Sequence, residues 1–265
     1  MTHHDGTRRK LDRLVAELGL LRHDTPQVEP VTEHRLDALP EPAQRWLRRA
    51  GVVGRPPVTN FRVRFDGRIR MKPGQGWMPL VAWQLNTVDP IARIFQMRVD
   101  AAHVVPMFGT DSYVSGTGEM RGRLLGLVTV AEGRGEEFDL GELVTWLNDA
   151  VMLAPSMLLH PSVTWAEDDD RSFSVAVADG EHQVTARVVL CDDDLPVDFV
   201  TDDRWYAGTD PPTRTRWRTP LEDWTATGDG LPVPGHGAAV WCFDDGEFTY
   251  IEGTFDRSTL ALDVT

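Results

Sequence analysis

The sequence predicts an α+β fold, mostly β: a large curved antiparallel sheet or open barrel wrapped around a central helix, with N-terminal helices. Three observations carry this. Apolar residues recur at helical spacing only over the first 50 residues and over 139–159, and at steps of two through most of the rest. The strand-like segments follow one another across turn chemistry with few helices between them, which argues against a doubly wound parallel sheet. A sheet of that many strands must curl or close, and so makes a concave face.

The first helix rests on Leu11, Leu14, Val15, Leu18 and Leu21, with charged residues between them; Gly19 and Thr25-Pro26 end it. A second is expected over Leu36–Ala50. Pro40 and Pro42 open its better half, Trp46, Leu47 and Ala50 form its stripe, and Gly51 stops it. The period then becomes two. Phe61, Val63, Phe65, Ile69 and Met71 alternate with Arg62, Arg64, Asp66, Arg68, Arg70 and Lys72. A hairpin at Asp66-Gly67 would pair Phe65 with Arg68 and mix apolar with charged, so one long strand running through Gly67 is predicted.

Further strands are expected near 77–87, 92–100, 103–107, 111–123, 162–166, 172–178, 183–190, 195–206, 214–218, 222–228, 237–243 and 247–256. Lys72-Pro73-Gly74, Asp179-Gly180, Asp192-Asp193-Asp194, Gly228-Asp229-Gly230 and Asp244-Asp245-Gly246 punctuate them. The block 139–159 is apolar on nearly every side, and Pro155 kinks or splits it. Such a helix is buried on more than one side, which places it inside the curled sheet as a plug. With no internal repeat and no linker-like tract, we expect a single domain: a helical segment over 1–52 packed on a β-rich, cavity-bearing part over 53–265.

Asp and Glu number 41 against 27 Lys and Arg, a formal net charge of −14. That charge repels phosphate backbones and anionic lipid, so nucleic acid and membrane insertion are not expected. No apolar run reaches the length of a spanning helix, and Met1-Thr2-His3-His4-Asp5-Gly6 does not open a signal peptide, so a cytoplasmic location is expected. Cys191 and Cys242 stand apart, with neither zinc-site nor disulfide-framework spacing. The chain has no Walker loop, GxSxG or HExxH, and neither a cofactor nor a metal is expected.

Leu39-Pro40-Glu41-Pro42 with Arg45-Trp46-Leu47, Gly51-Val52-Val53-Gly54, Gly76-Trp77-Met78-Pro79, Gly141-Glu142-Leu143 to Asn148-Asp149, and Ala239-Val240-Trp241 resemble a bacterial family of unknown function. The resemblance spans about 39–255. It implies a curved antiparallel sheet around helices, similar to the periplasmic lipoprotein-carrier fold, with a cavity for a hydrophobic ligand.

Asn148-Asp149 is the most informative pair, because it lies inside an otherwise apolar run. A carboxylate in an apolar cavity is raised toward neutrality, which suits a general acid or base; equally, such a group anchors the helix to an Arg or to backbone amides. His103 and Tyr113 flank a hairpin that would join a base to its orienter, although a lone His is commonly structural. Asp149, His103 and Tyr113 are therefore the catalytic candidates. Asn148, Trp83, Trp146, Trp165, Arg204 and Tyr206 are the substrate-binding ones, the indoles for apolar bulk and Arg204 or Tyr206 for a carbonyl or carboxylate. Two functions follow: a cofactor-independent cyclase, isomerase or lyase acting on a hydrophobic small molecule, or a binding or carrier protein without chemistry.

Overall fold

A computed structural model describes residues 4–21, 28–101, 105–124, 128–228 and 230–265. Its centre is a 13-stranded antiparallel sheet. The first six strands form a meander: β1 (Asn60–Ile69), β2 (Met78–Val88), β3 (Ile91–Ala101), β4 (Val105–Val114), β5 (Thr117–Leu124) and β6 (Val128–Gly133). The other seven form a second: β7 (Val163–Asp169), β8 (Ser172–Asp179), β9 (His182–Leu190), β10 (Pro196–Thr201), β11 (Arg216–Glu222), β12 (His236–Phe243) and β13 (Gly246–Leu262). The spatial order is β6-β5-β4-β3-β2-β1-β13-β12-β11-β10-β9-β8-β7, so the meanders join where the first strand pairs with the last.

β1 runs unbroken through Gly67, which pairs with Leu80 on one side and Gly253 on the other. Its basic face is neutralised by neighbours: Arg62 meets Asp12 at 3.2 Å, Arg64 meets Asp66 at 2.6 Å and Arg68 meets Glu252 at 2.5 Å.

Helix α1 (His4–Leu18) ends at Gly19, in the left-handed conformation at φ 61°. It lies on the convex face of β2 and β3, where Leu11 and Val15 pack on Trp83, Leu85, Ala92 and Ile94. The helix expected over Leu36–Ala50 is two: one turn, α2 (Glu33–Leu36), and then α3 (Glu41–Arg49). Pro40 is extended at φ −53°, ψ 143° and caps α3, because a proline opens a helix but cannot continue one.

Helix α4 (Glu136–Leu153) fills the concave side, touching β2–β5 on one half of the sheet and β9 and β10 on the other. Leu143, Val144, Trp146, Leu147, Ala150 and Val151 are wholly buried. A 3₁₀ turn (Pro155–Leu159) follows, so Pro155 splits the block. No helix among the described residues is long and apolar enough to cross a membrane. Both cysteines are free.

Several strand expectations are corrected. β4 runs unbroken from Val105 to Val114, so no hairpin separates the expected strand 103–107 from Tyr113. Segment 111–123 instead folds back at Ser115 and Gly116, both at positive φ (53° and 75°) as in a two-residue hairpin. Segment 195–206 stops at Thr201, where Asp202 and Asp203 leave the ladder to bind Arg216 and Arg214. The segments 214–218 and 222–228 reduce to β11 and a two-residue ribbon, Thr225–Ala226. β6 is an additional strand outside the predicted segments.

Candidate functional site

Between α4 and the sheet lies a cavity of about 480 Å³, in the range of small-molecule sites. Strand alternation supplies its walls. On β3, Arg93, Phe95 and Met97 share the face toward α4, and Asp111 and Gly109 on β4 stand opposite Phe95 and Met97. Phe65 and Phe255 continue the wall beside Phe95, and Trp217 and Trp241, paired across β11 and β12, extend it. Helix α4 contributes Gly141, Glu142, Thr145, Asn148, Asp149 and Met152, which recur at three- and four-residue steps and so form one stripe.

Six of the chain's eight methionines line the cavity: Met71, Met78, Met97, Met107, Met120 and Met152. Methionine is unbranched and polarizable and packs against many shapes, so this wall adapts to its occupant.

One end is polar. Arg93 is committed there: its Nε donates to Asp149 Oδ2 at 2.7 Å and its Nη1 to Glu142 Oε2 at 2.8 Å, all three groups being buried. Asn86 donates to Asp149 at 3.3 Å, and Gln84 donates to Asn86 at 2.9 Å. Burial pushes both carboxyls upward, and the shared guanidinium pulls them back. Opposed by burial, Arg93 is nevertheless held in its charged form by its two partners.

Asp111 differs. Its Oδ1 is buried without a hydrogen-bond partner, and desolvation, reinforced by the charge of Glu142, raises the carboxyl to about 7 against the pull of Arg93 and Arg204. The native state therefore holds a proton on Asp111 that the unfolded chain has released, between the ordinary carboxylate range and neutrality. Stability falls with rising pH across that window. Asp111→Asn removes this term, so the melting temperature of D111N relative to wild type is expected to be higher at pH 8 than at pH 5. An equal difference at both pH values would show that Asp111 is hydrated and ordinary.

Four further buried atoms on the cavity wall have no hydrogen-bond partner among the described residues: Asn148 Oδ1, Arg204 Nε, Trp217 Nε1 and Thr219 Oγ1. Arg204 stacks on Trp217 and Trp241, its guanidinium carbon 4.6 and 5.6 Å from the two ring centroids, and forms no ion pair among the described residues.

Of the residues singled out from sequence, Asn148, Asp149, Arg204 and Tyr206 meet at this cavity. Arg204 and Tyr206 arrive on the stretch after β10, which re-pairs as a ribbon of Trp205–Tyr206 with Thr213–Arg214. The others lie elsewhere. Trp83 is on the convex face beneath α1, with Arg8 over its ring at 5.1 Å, because alternation on β2 turns it away from Gln84. Trp146 points into the sheet, its Nε1 donating to Thr87 O at 2.8 Å. Trp165 packs with Trp46 and Phe173, and the Tyr113 hydroxyl donates to Asp179 at 2.9 Å. His103 lies outside the described residues.

Arg93, Asp111, Glu142 and the methionines were not singled out. Two of them carried a signal: Glu142 and Asp149 are seven apart, two turns along one helix face, and Arg93 alternates in phase with Phe95 and Met97.

Residues 29–253 match the model of a family described as "Family of unknown function (DUF6544)", and the chain belongs to that family. No curated protein matches it. Among solved structures it resembles a domain titled a putative outer membrane lipoprotein-sorting protein from Vibrio parahaemolyticus. That likeness has 10% identity and a TM-score of 0.45, over 84% of this chain and 91% of the other.

Proposed function

We propose that this member of the family binds a hydrophobic small molecule in the cavity between α4 and the sheet, as a binding or carrier protein. The observation that carries the reading is the methionine-rich wall: adaptable side chains suit holding apolar molecules of varied shape, whereas stereochemical control of a cyclisation asks for a rigid template. The pairing of Asp149 with Arg93 also favours binding, since a carboxylate held in an ion pair at 2.7 Å is poorly placed to exchange protons with a ligand. A catalytic reading, as an isomerase or cyclase, draws its support from Asp111, an unpartnered carboxyl near neutrality on the same wall.

A neutral apolar fluorophore, N-phenyl-1-naphthylamine, tests the reading. It is expected to brighten on binding with one-to-one stoichiometry. Ala239→Trp, which fills part of the cavity from β12, is expected to weaken it by roughly tenfold or more. Absence of saturable binding to the wild-type protein, or undiminished binding by a folded A239W, would overturn the proposal.

A further inference from the structure

Four arginines line the cavity, and they are not equivalent: Arg121 pairs with Glu119 and Glu132, and Arg70 donates its Nε to the Thr249 carbonyl. Arg93 is consumed by Asp149 and Glu142, whereas Arg204 is fixed between Trp217 and Trp241 with its Nε buried and without a partner. The other orphaned atoms on the wall are mostly donors. Trp217 Nε1 can only donate, and the Thr219 hydroxyl, two residues along the same face of β11, can do so. Asp111, protonated up to about pH 7, offers its hydroxyl as well. Asn148 Oδ1 alone among them is restricted to accepting.

The Arg204 guanidinium feels Asp111 and Glu142 only at longer range, with no hydrogen bond or ion pair among the described residues. This donor-rich pole opens on a methionine and aromatic wall and is complementary to one kind of molecule. We propose that the ligand is an amphipathic carboxylic acid, its carboxylate anchored by Arg204 and its apolar body lying along the methionines. The inference rests on the cavity being a binding site, and adds the polar group of what is bound. A carboxylate fits better than a phosphate: Glu142 and Asp149 stand on the same wall and repel a second negative charge. The guanidinium offers the paired N–H geometry that a carboxylate accepts, and its stacked indoles hold it ready.

Competition against bound N-phenyl-1-naphthylamine at pH 7 separates the possibilities, with palmitate and hexadecanol as probes of equal chain length. Palmitate is expected to displace the dye at roughly tenfold lower concentration than hexadecanol. Arg204→Met is expected to shrink that gap below about threefold, and Arg204→Lys to restore part of it. Equal displacement by the two probes overturns the proposal, as does an R204M loss of the same size for both, which would mark Arg204 as packing alone. A wild-type protein that binds no dye overturns the binding reading itself, and this inference with it. If R204M does not fold, the wild-type comparison of the two probes decides.

Discussion

Arg93→Met is expected to destabilise the protein by about 3–5 kcal/mol, the usual consequence of removing one partner from a buried ion pair. The methionine keeps most of the side chain's volume, so the loss is electrostatic. Asp149 and Glu142, each nearly inaccessible, would keep no cation within hydrogen-bonding distance. Their folded-state pKa values would climb further above those of the unfolded chain, so both would be protonated natively at pH values where the unfolded chain releases its protons. The deficit is therefore largest above neutrality and narrows as pH falls toward the ordinary carboxylate range. Urea unfolding at pH 7.5 and pH 5 measures both the size and the trend. Adding Glu142→Gln and Asp149→Asn to R93M is expected to recover much of the loss, because neutral amides bury more cheaply than unpaired charges. A cost below about 1 kcal/mol at pH 7.5 would mean that water reaches this pole of the cavity and screens it.

This triad also shows what was and was not legible in the sequence. The buried helix announced itself by being apolar all round, and the long first strand by an alternation that no hairpin at Gly67 could satisfy. A polar pair within that helix pointed to Asn148-Asp149, and both reach the cavity. Its partner did not stand out. Arg93 is one arginine among many on charged strands, and only the sheet order brings it opposite α4. The indoles mislead for a related reason. Period two says which residues share a face, but not which face is concave, so Trp83 and Trp217 look alike in sequence and end on opposite sides of the sheet. Arg204 reaches the cavity by another route: the ladder breaks at Asp202 and the chain crosses over the site, where strand alternation no longer applies.

Gly253→Ala is expected to cost about 1–3 kcal/mol or more, the range for forcing extra volume into a packed site. Gly67, Gly253 and Gly237 pair side by side across β1, β13 and β12, at the seam where the two meanders meet. A Cβ on Gly253 would clash with the carbonyl oxygen of Asp66 and sit 2.6 Å from the Cα of Gly67. Those are backbone atoms and cannot swing aside, so β1 and β13 would have to separate locally. The third contact, 2.7 Å from the ring of Phe65, reaches the site itself. Phe65 packs on Phe255 at 5.3 Å and on Phe95 at 6.3 Å, and all three rings wall the cavity. G253A should therefore lower the urea midpoint and weaken dye binding together. Gly237→Ala is the contrasting case: its Cβ would come no closer than 3.4 Å, to a Leu221 methyl, so its stability is expected to stay within about 0.5 kcal/mol of wild type. Equal effects from the two substitutions would show that these glycines serve chain flexibility in general. A loss confined to G253A would tie the close approach of the first and last strands to the curvature that opens the cavity.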